Sequence, residues 1–119
     1  MMKDDFGRNI EGYWKGINPK EKKYPMPVPN VLSAEEAKDI YDLIHEKEKK
    51  ASKTVYRGMA NSRIEPEVYV GAAEFSLDNW IWPDGYAKHY VLKHRVKPSD
   101  NFLKFIGYDA STISRNNFS

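Results

Sequence analysis

The sequence predicts one α+β domain, in which a small antiparallel sheet of three or four short strands packs with one longer helix and one or two short helices. Three observations lead to this prediction: a capped amphipathic helix signal after Ser33, alternating apolar segments between residues 54 and 82, and renewed helix signals after Asp84 and Ser99. A chain of 119 residues is long enough for a single domain with a modest core.

The chain divides into three regions by composition. Residues 1–30 are polar and interrupted by glycine and proline, and we interpret them as an irregular arm anchored by Trp14. Residues 31–108 form the predicted domain. Residues 109–119 are mostly small and polar, so we expect a frayed tail.

Every second residue from 25 to 29 is a proline, a pattern that favours an extended, polyproline-like strip. We expect Met26 and Val28 to pack this strip across the domain. The alternative is that the strip is a ligand for a proline-recognising groove of another protein.

The most strongly marked element is a helix at residues 34–50. Ser33 and Glu36 have the spacing of a capping box. Apolar residues then recur at helical spacing and predict one buried face, formed by Ala37, Ile40, Tyr41 and Ile44. Lysines follow in the last turn, where the helix dipole favours positive charge.

Segments with the composition and alternation of strands occupy residues 54–59, 67–71, 73–77 and 80–82. We expect Gly71 to form a bulge or turn between the second and third segments. Asp78 and Asn79 have turn chemistry and precede the last strand.

The segment after Asp84 fits two periods. Helical spacing groups Ala87, Tyr90, Val91 and His94, whereas strand spacing groups Tyr90, Leu92, His94 and Val96. Because Pro83 precedes it and Asp84 can cap it, we predict a helix over 84–94. A second short helix is predicted at 100–106, capped by Ser99 and ended by Gly107.

Composition excludes several classes of function. The chain has no cysteine, which excludes disulfides and thiolate metal sites. No apolar run approaches the roughly 20 residues that span a bilayer, and the start lacks an apolar signal core, so we expect a cytoplasmic protein without a membrane partner. Nineteen basic and seventeen acidic residues give a net charge of +2, which is too balanced to indicate a nucleic-acid partner.

His89 and His94 are the first candidates for chemistry. Five residues of an α-helix rotate by about 500°, so the two side chains would point about 140° apart and would not share a metal ion. We therefore predict no metal site, and we expect His94 to be a core residue hydrogen-bonded to the backbone. The alternative is a catalytic acid or base, His94 or His89, oriented by the carboxylate of Glu74.

Trp80 and Trp82 lie on the same face of a predicted strand, because side chains two residues apart point to the same side. We expect both indoles in the core. The alternative is a ligand cleft that they line together with Tyr86 and Tyr90, since aromatic walls are usual in such clefts. A third interpretation is a nucleic-acid surface beside these tyrosines, formed by Lys88, Lys93, Arg95 and Lys97.

A longer pattern covers about residues 56–106 and consists of Gly71, Glu74, Trp80-x-Trp-Pro-x-Gly85, His89-Tyr-Val91, His94, Val96, Pro98 and Phe102. It resembles a family of small bacterial proteins without an assigned activity. In that family a cysteine pair precedes the pattern, and two cysteines with two histidines would form a zinc site. This chain has Ser62 and Glu65 at the positions of the pair, so Glu65, His89 and His94 make at most a three-ligand set.

Tyr56-Arg57-Gly58 resembles the first motif of arginine-type ADP-ribosyltransferases. In that family the arginine holds the phosphates of a nicotinamide dinucleotide, which suits its planar fork of donors. The segment around Ser76 resembles a later serine-containing strand of the same family. The resemblance implies that Arg57 and Ser76 are ligand-binding residues of an enzyme.

These observations favour a small binding or interaction module without a cofactor. The sequence leaves its partner open, and another protein is one candidate. The alternative from another class is an ADP-ribosyltransferase-like or histidine-dependent enzyme. A weak nucleic-acid binder is the second alternative.

Overall fold

The computed structural model describes residues 3, 4, 6–15 and 22–113, with the backbone alone for 56–60. Its elements are β1 (Asn9–Ile10), α1 (Ala34–Lys50), β2 (Ser52–Asn61), β3 (Tyr69–Leu77), β4 (Trp80–Pro83), a π-helix (Tyr86–Lys93), α2 (Asp100–Ile106) and a 3-10 helix (Ala110–Thr112). The chain therefore has the predicted α+β architecture. Within these residues, no helix is both long and apolar enough to cross a membrane.

The four strands form one sheet in the order β1-β4-β3-β2. The β2–β3 and β3–β4 pairs are antiparallel, whereas β1 runs parallel to β4 and pairs Asn9 with Trp80 and Ile10 with Ile81. The strands predicted between residues 54 and 82 pair antiparallel as expected, and the sheet is mixed because β1 adds a parallel strand. The arm, which was expected to be irregular, supplies this edge strand.

Strands β2 and β3 are longer than predicted, with ten and nine residues. β3 continues through Gly71, where the sequence predicts a bulge or turn. The β2–β3 register shifts between Ala60, which pairs with Gly71, and Asn61, which pairs with Tyr69, so an irregularity of the predicted bulge type lies beside Gly71. A further shift lies between Val55 and Ala60. At Gly71 an added Cβ would lie 2.9 Å from the carbonyl carbon of Asp84, so the turn after β4 packs directly on the β3 backbone.

Helices α1 and α2 begin and end where their capping signals predict. The Ser33 hydroxyl accepts a hydrogen bond from Glu36 N–H at 3.1 Å, and the Glu36 carboxylate accepts one from Ser33 N–H at 2.8 Å. Ser99 caps α2 by accepting a hydrogen bond from Phe102 N–H, and Gly107 ends it in the left-handed conformation. The buried face of α1 is formed by Ala37, Ile40 and Ile44.

The core lies between the sheet and the helices, with Trp82 at its centre. Trp82 is fully buried, and its ring centroid lies 5.9 Å from that of Phe75 and 5.7 Å from that of Phe102. Trp80 packs on Phe102 and Phe105 in the same layer. Both indoles are therefore core residues, as expected from their spacing on one strand face.

The proline strip is held to the domain by a different residue from those predicted, whereas the arm before it is anchored by Trp14 as predicted. Pro27 is buried, whereas Met26 and Val28 are 53% and 61% exposed. The proline ring therefore anchors the strip, and the two side chains expected to pack inward are presented to solvent. Trp14 is the predicted anchor, and it contacts two tyrosine rings of the π-helix. In the tail, Asp109 caps the 3-10 helix, and residues 114–119 lie outside the described part of the chain.

Candidate functional site

The helix after β4 is a π-helix, and this determines where its two histidines point. His94 N–H donates to the carbonyl of His89, five residues earlier, at 3.1 Å. This hydrogen bond closes the wide turn of a π-helix, in which residues five apart lie about one turn apart. The two imidazole centroids are consequently 4.8 Å apart. The prediction that they diverge is wrong because it assumed α-helical rotation.

The start of this helix also differs from the prediction. Gly85, not Asp84, occupies the N-cap position, with φ 90° and no side-chain cap. A side chain at Gly85 would collide with the carbonyl oxygen of Val70 on β3. Only glycine satisfies both the positive φ and this close approach, so the turn after β4 is fixed against the sheet.

The loop between β2 and β3 brings Ser62 to His89. The Ser62 hydroxyl oxygen accepts hydrogen bonds from Ile64 N–H at 3.0 Å and Glu65 N–H at 2.9 Å. Its oxygen lies 2.7 Å from His89 Nε2, and both side chains are buried. Because the two backbone donors occupy the oxygen lone pairs, we assign the hydroxyl proton to the bond with Nε2. His89 is then a neutral imidazole that carries its proton on Nδ1.

The pKa of His89 agrees with this assignment. Burial lowers the pKa of His89, and the neighbouring charge of His94 lowers it further. The neutral form is therefore favoured at physiological pH.

The same loop places Glu65 beside His94. The Glu65 Oε1 atom lies 2.6 Å from His94 Nε2 and 2.8 Å from the ammonium of Lys93. The hydrogen bond from Lys93, followed by that from His94, lowers the pKa of Glu65, so its carboxylate is ionised at neutral pH. We call Ser62, Glu65, His89 and His94 together the histidine cluster. It joins the β2–β3 loop to the π-helix through two side-chain pairs.

The structure gives His94 and Glu74 different partners from those predicted. The His94 side chain is 19% exposed and contacts a carboxylate, so it is not a core histidine bonded to the backbone. The carboxylate beside it is that of Glu65, not Glu74. Glu74 lies on β3, where its Oε2 accepts a hydrogen bond from the Tyr13 hydroxyl at 2.7 Å. Glu74 therefore fastens the arm to the sheet.

The four aromatic residues that were predicted, as an alternative, to line a ligand cleft do not line one together. Trp80, Trp82, Tyr86 and Tyr90 are all buried. The hydroxyl of Tyr86 donates to Glu11 Oε2 at 2.8 Å, and that of Tyr90 accepts from Arg63 N–H at 2.9 Å. The two tyrosines thus pin the arm and the β2–β3 loop to the π-helix.

The dinucleotide site implied by Arg57 and Ser76 receives no support from the strand register. The side chain of Arg57 lies outside the described residues. Ser76 pairs with Ser52, which is five residues before Arg57 along β2. The enzyme interpretation stays a prediction.

A second candidate site is an open groove between the arm and the domain, with a volume of about 580 Å³. Its walls come from residues 10–14, the proline strip and the loop before α2. Glu11 and Lys97 contribute charged side chains to the lining. The remaining walls are largely apolar. We call this the arm groove.

The sequence names both histidines, and the family resemblance groups Glu65 with them, but it does not pair His89 with Ser62 or His94 with Glu65. Ser62 and Glu65 lie 27 and 29 positions before His89 and His94, respectively, and contact them only through the folded chain. The available signal was the family resemblance, which places a ligand pair at positions 62 and 65. Comparisons of the chain with known protein families, with curated proteins and with solved structures find no match.

Proposed function

We propose that this protein is an interaction module that binds an extended, apolar segment of a partner protein in the arm groove. The observation that carries the proposal is the exposure of Met26 and Val28 at the edge of a large apolar groove. Contiguous exposed apolar surface, such as these side chains form with the groove walls, commonly marks an interaction site. Methionine in particular adapts to different binding surfaces.

The size and construction of the groove support this proposal. Its volume of about 580 Å³ lies within the range of ligand sites, roughly 300–1,000 Å³. Its apolar walls include Trp14, Val31 and Val96, which offer apolar contact area. Buried Pro27 and the hydrogen bond from Lys15 N–H to the Pro25 carbonyl hold the strip in place. Such a preformed wall reduces the ordering cost of binding.

The charges near the groove favour an apolar protein segment over nucleic acid. Glu11 accepts hydrogen bonds from Ser99 and Tyr86, and Lys97 is paired with Asp100. The lysine in the groove lining, Lys97, is therefore already paired, whereas nucleic-acid affinity depends on contacts between basic side chains and phosphates. Lys93 of the predicted basic surface is likewise paired, with Glu65.

Selection from a phage-displayed library of random peptides tests the proposal. We expect enriched peptides to carry apolar side chains, and a labelled peptide to bind the protein in fluorescence anisotropy. Met26→Asp and Val28→Asp should each weaken binding by at least about tenfold, because each places a charge against an apolar ligand. The matched control is Val55→Asp, since Val55 is 72% exposed on β2, at the opposite edge of the sheet from β1. Failure to enrich any peptide, or equal losses in all three variants, would exclude the arm groove as the binding site.

A further inference from the structure

Glu65, His89 and His94 present one possible ligand atom each, and these three atoms lie within 4.8 Å of one another. We propose that they bind one divalent transition-metal ion of the Zn²⁺ class. A metal ion about 2.0–2.2 Å from each donor requires donors a little over 3 Å apart, so small side-chain rotations suffice. The site is independent of the arm groove, with which it shares no lining residue.

The donor set selects the kind of metal ion. Two imidazole nitrogens and one carboxylate oxygen suit Zn²⁺, Co²⁺, Ni²⁺ or Cu²⁺. Ca²⁺ and Mg²⁺ prefer sites made only of oxygen donors, and Cu⁺ prefers sulfur. Three protein ligands leave a further coordination position for water or another small ligand.

Metal binding would rearrange hydrogen bonds that the cluster makes now. Metal ions bind neutral imidazole and ionised carboxylate. Ser62 contacts the imidazole of His89 and so restricts its ring orientation. Binding through Nδ1 of His89 would release the proton assigned to that atom, whereas binding through Nε2 would replace the hydrogen bond from Ser62. Glu65 holds His94 in place through Oε1. On binding, the metal ion would replace the direct contacts of Glu65 with His94 and Lys93.

The π-helix is the second observation that points to a ligand. π-Helical turns are rare and often occur at functional sites. Here the turn is what directs both histidines to one point, although they are five residues apart. Glu65 and His94 are 28% and 19% exposed, which leaves the cluster accessible from solvent, whereas His89 supplies a buried, rigid ligand.

Isothermal titration of the metal-free protein with ZnCl₂ tests this proposal. We expect one Zn²⁺ per chain, and Co²⁺ titration should give the intense visible absorption of a four- or five-coordinate ion. Glu65→Gln and His94→Gln should each weaken Zn²⁺ binding by at least about tenfold, because each removes one of three ligands. His45→Gln is the matched control, since His45 lies beside Glu48 on the exposed face of α1 and belongs to a separate pair.

Two outcomes would overturn the metal site. The first is the absence of saturable Zn²⁺ binding and of intense Co²⁺ absorption in the folded wild-type protein, which requires no variant. The second is equal Zn²⁺ affinity in wild type, Glu65→Gln and His94→Gln. Zn²⁺ should also raise the melting temperature of wild type and the His45→Gln control, because a ligand that binds only the folded state stabilises it.

Discussion

The imidazole rings of His89 and His94 lie with their centroids 4.8 Å apart although the residues are five positions apart in a helix. In an α-helix this spacing would direct them about 140° away from each other. The hydrogen bond from His94 N–H to the His89 carbonyl widens the turn and brings the rings together. Local backbone geometry thus creates the histidine cluster, and the β2–β3 loop completes it with Ser62 and Glu65.

Ser62→Ala should destabilise the protein by about 1–3 kcal/mol, because it leaves buried polar groups without a partner. Ser62 is 2% exposed, and its hydroxyl serves Ile64 N–H, Glu65 N–H and the ring of His89. Urea denaturation measures the change in the free energy of unfolding. Ser52→Ala, at an exposed position of β2, is the control and should change stability much less. Equal effects of the two substitutions would show that the Ser62 network does not contribute to stability.

The contact between Glu65 and His94 should appear as a favourable coupling in a double-mutant cycle. Glu65→Gln, His94→Gln and the double variant are compared with wild type by chemical denaturation in the presence of EDTA, which excludes metal ions. Because the two side chains are in direct contact at 2.6 Å, the double variant should lose less stability than the sum of the single variants. The coupling will be modest, since both groups are partly exposed. Strict additivity would contradict the observed contact.

Glu11 should make the stability of the protein depend on pH. Burial raises the pKa of Glu11 above its usual value of 4.5, despite hydrogen bonds from Ser99 and Tyr86. The folded state therefore binds this proton more tightly than the unfolded state. The stabilisation is complete below pH 4.5 and is lost as the pH rises through the higher folded-state pKa.

The test compares wild type with Glu11→Gln, which cannot titrate. The difference in the free energy of unfolding, wild type minus variant, should increase as the pH falls from 7 towards 4.5. Glu67→Gln serves as the control because Glu67 is exposed in the β2–β3 connection. A difference for Glu11→Gln that stays constant or shrinks over this range would show that Glu11 has no raised pKa in the folded protein.

Helices with local end signals were predictable from the sequence. The capping box at Ser33 and the stop at Gly107 each depend on residues within one turn, so α1 and α2 have the predicted bounds. By contrast, β1 is two residues long and pairs with β4, about 70 positions away. Its residues show no alternation from which a strand could be inferred, so the mixed sheet was not predictable.

The histidine cluster was predictable only in part. Its histidines stand out in composition, but α-helices and π-helices share the same capping and apolar signals, and the choice between them determines whether His89 and His94 meet. In this chain the wide turn accompanies contacts with Ser62 and Glu65, which belong to another part of the chain. Such long-range pairs cannot be read from local periodicity.

Nuclear Overhauser effects between the ring protons of His89 and His94, measured on the isotope-labelled protein with EDTA, test the histidine cluster most directly. The structure predicts clear cross-peaks between the two imidazoles, because their rings are in edge contact at 4.8 Å between centroids. Cross-peaks from each ring to other neighbours, but none between the two rings, would contradict the π-helical turn. Without that turn, the metal site would lose its geometric basis.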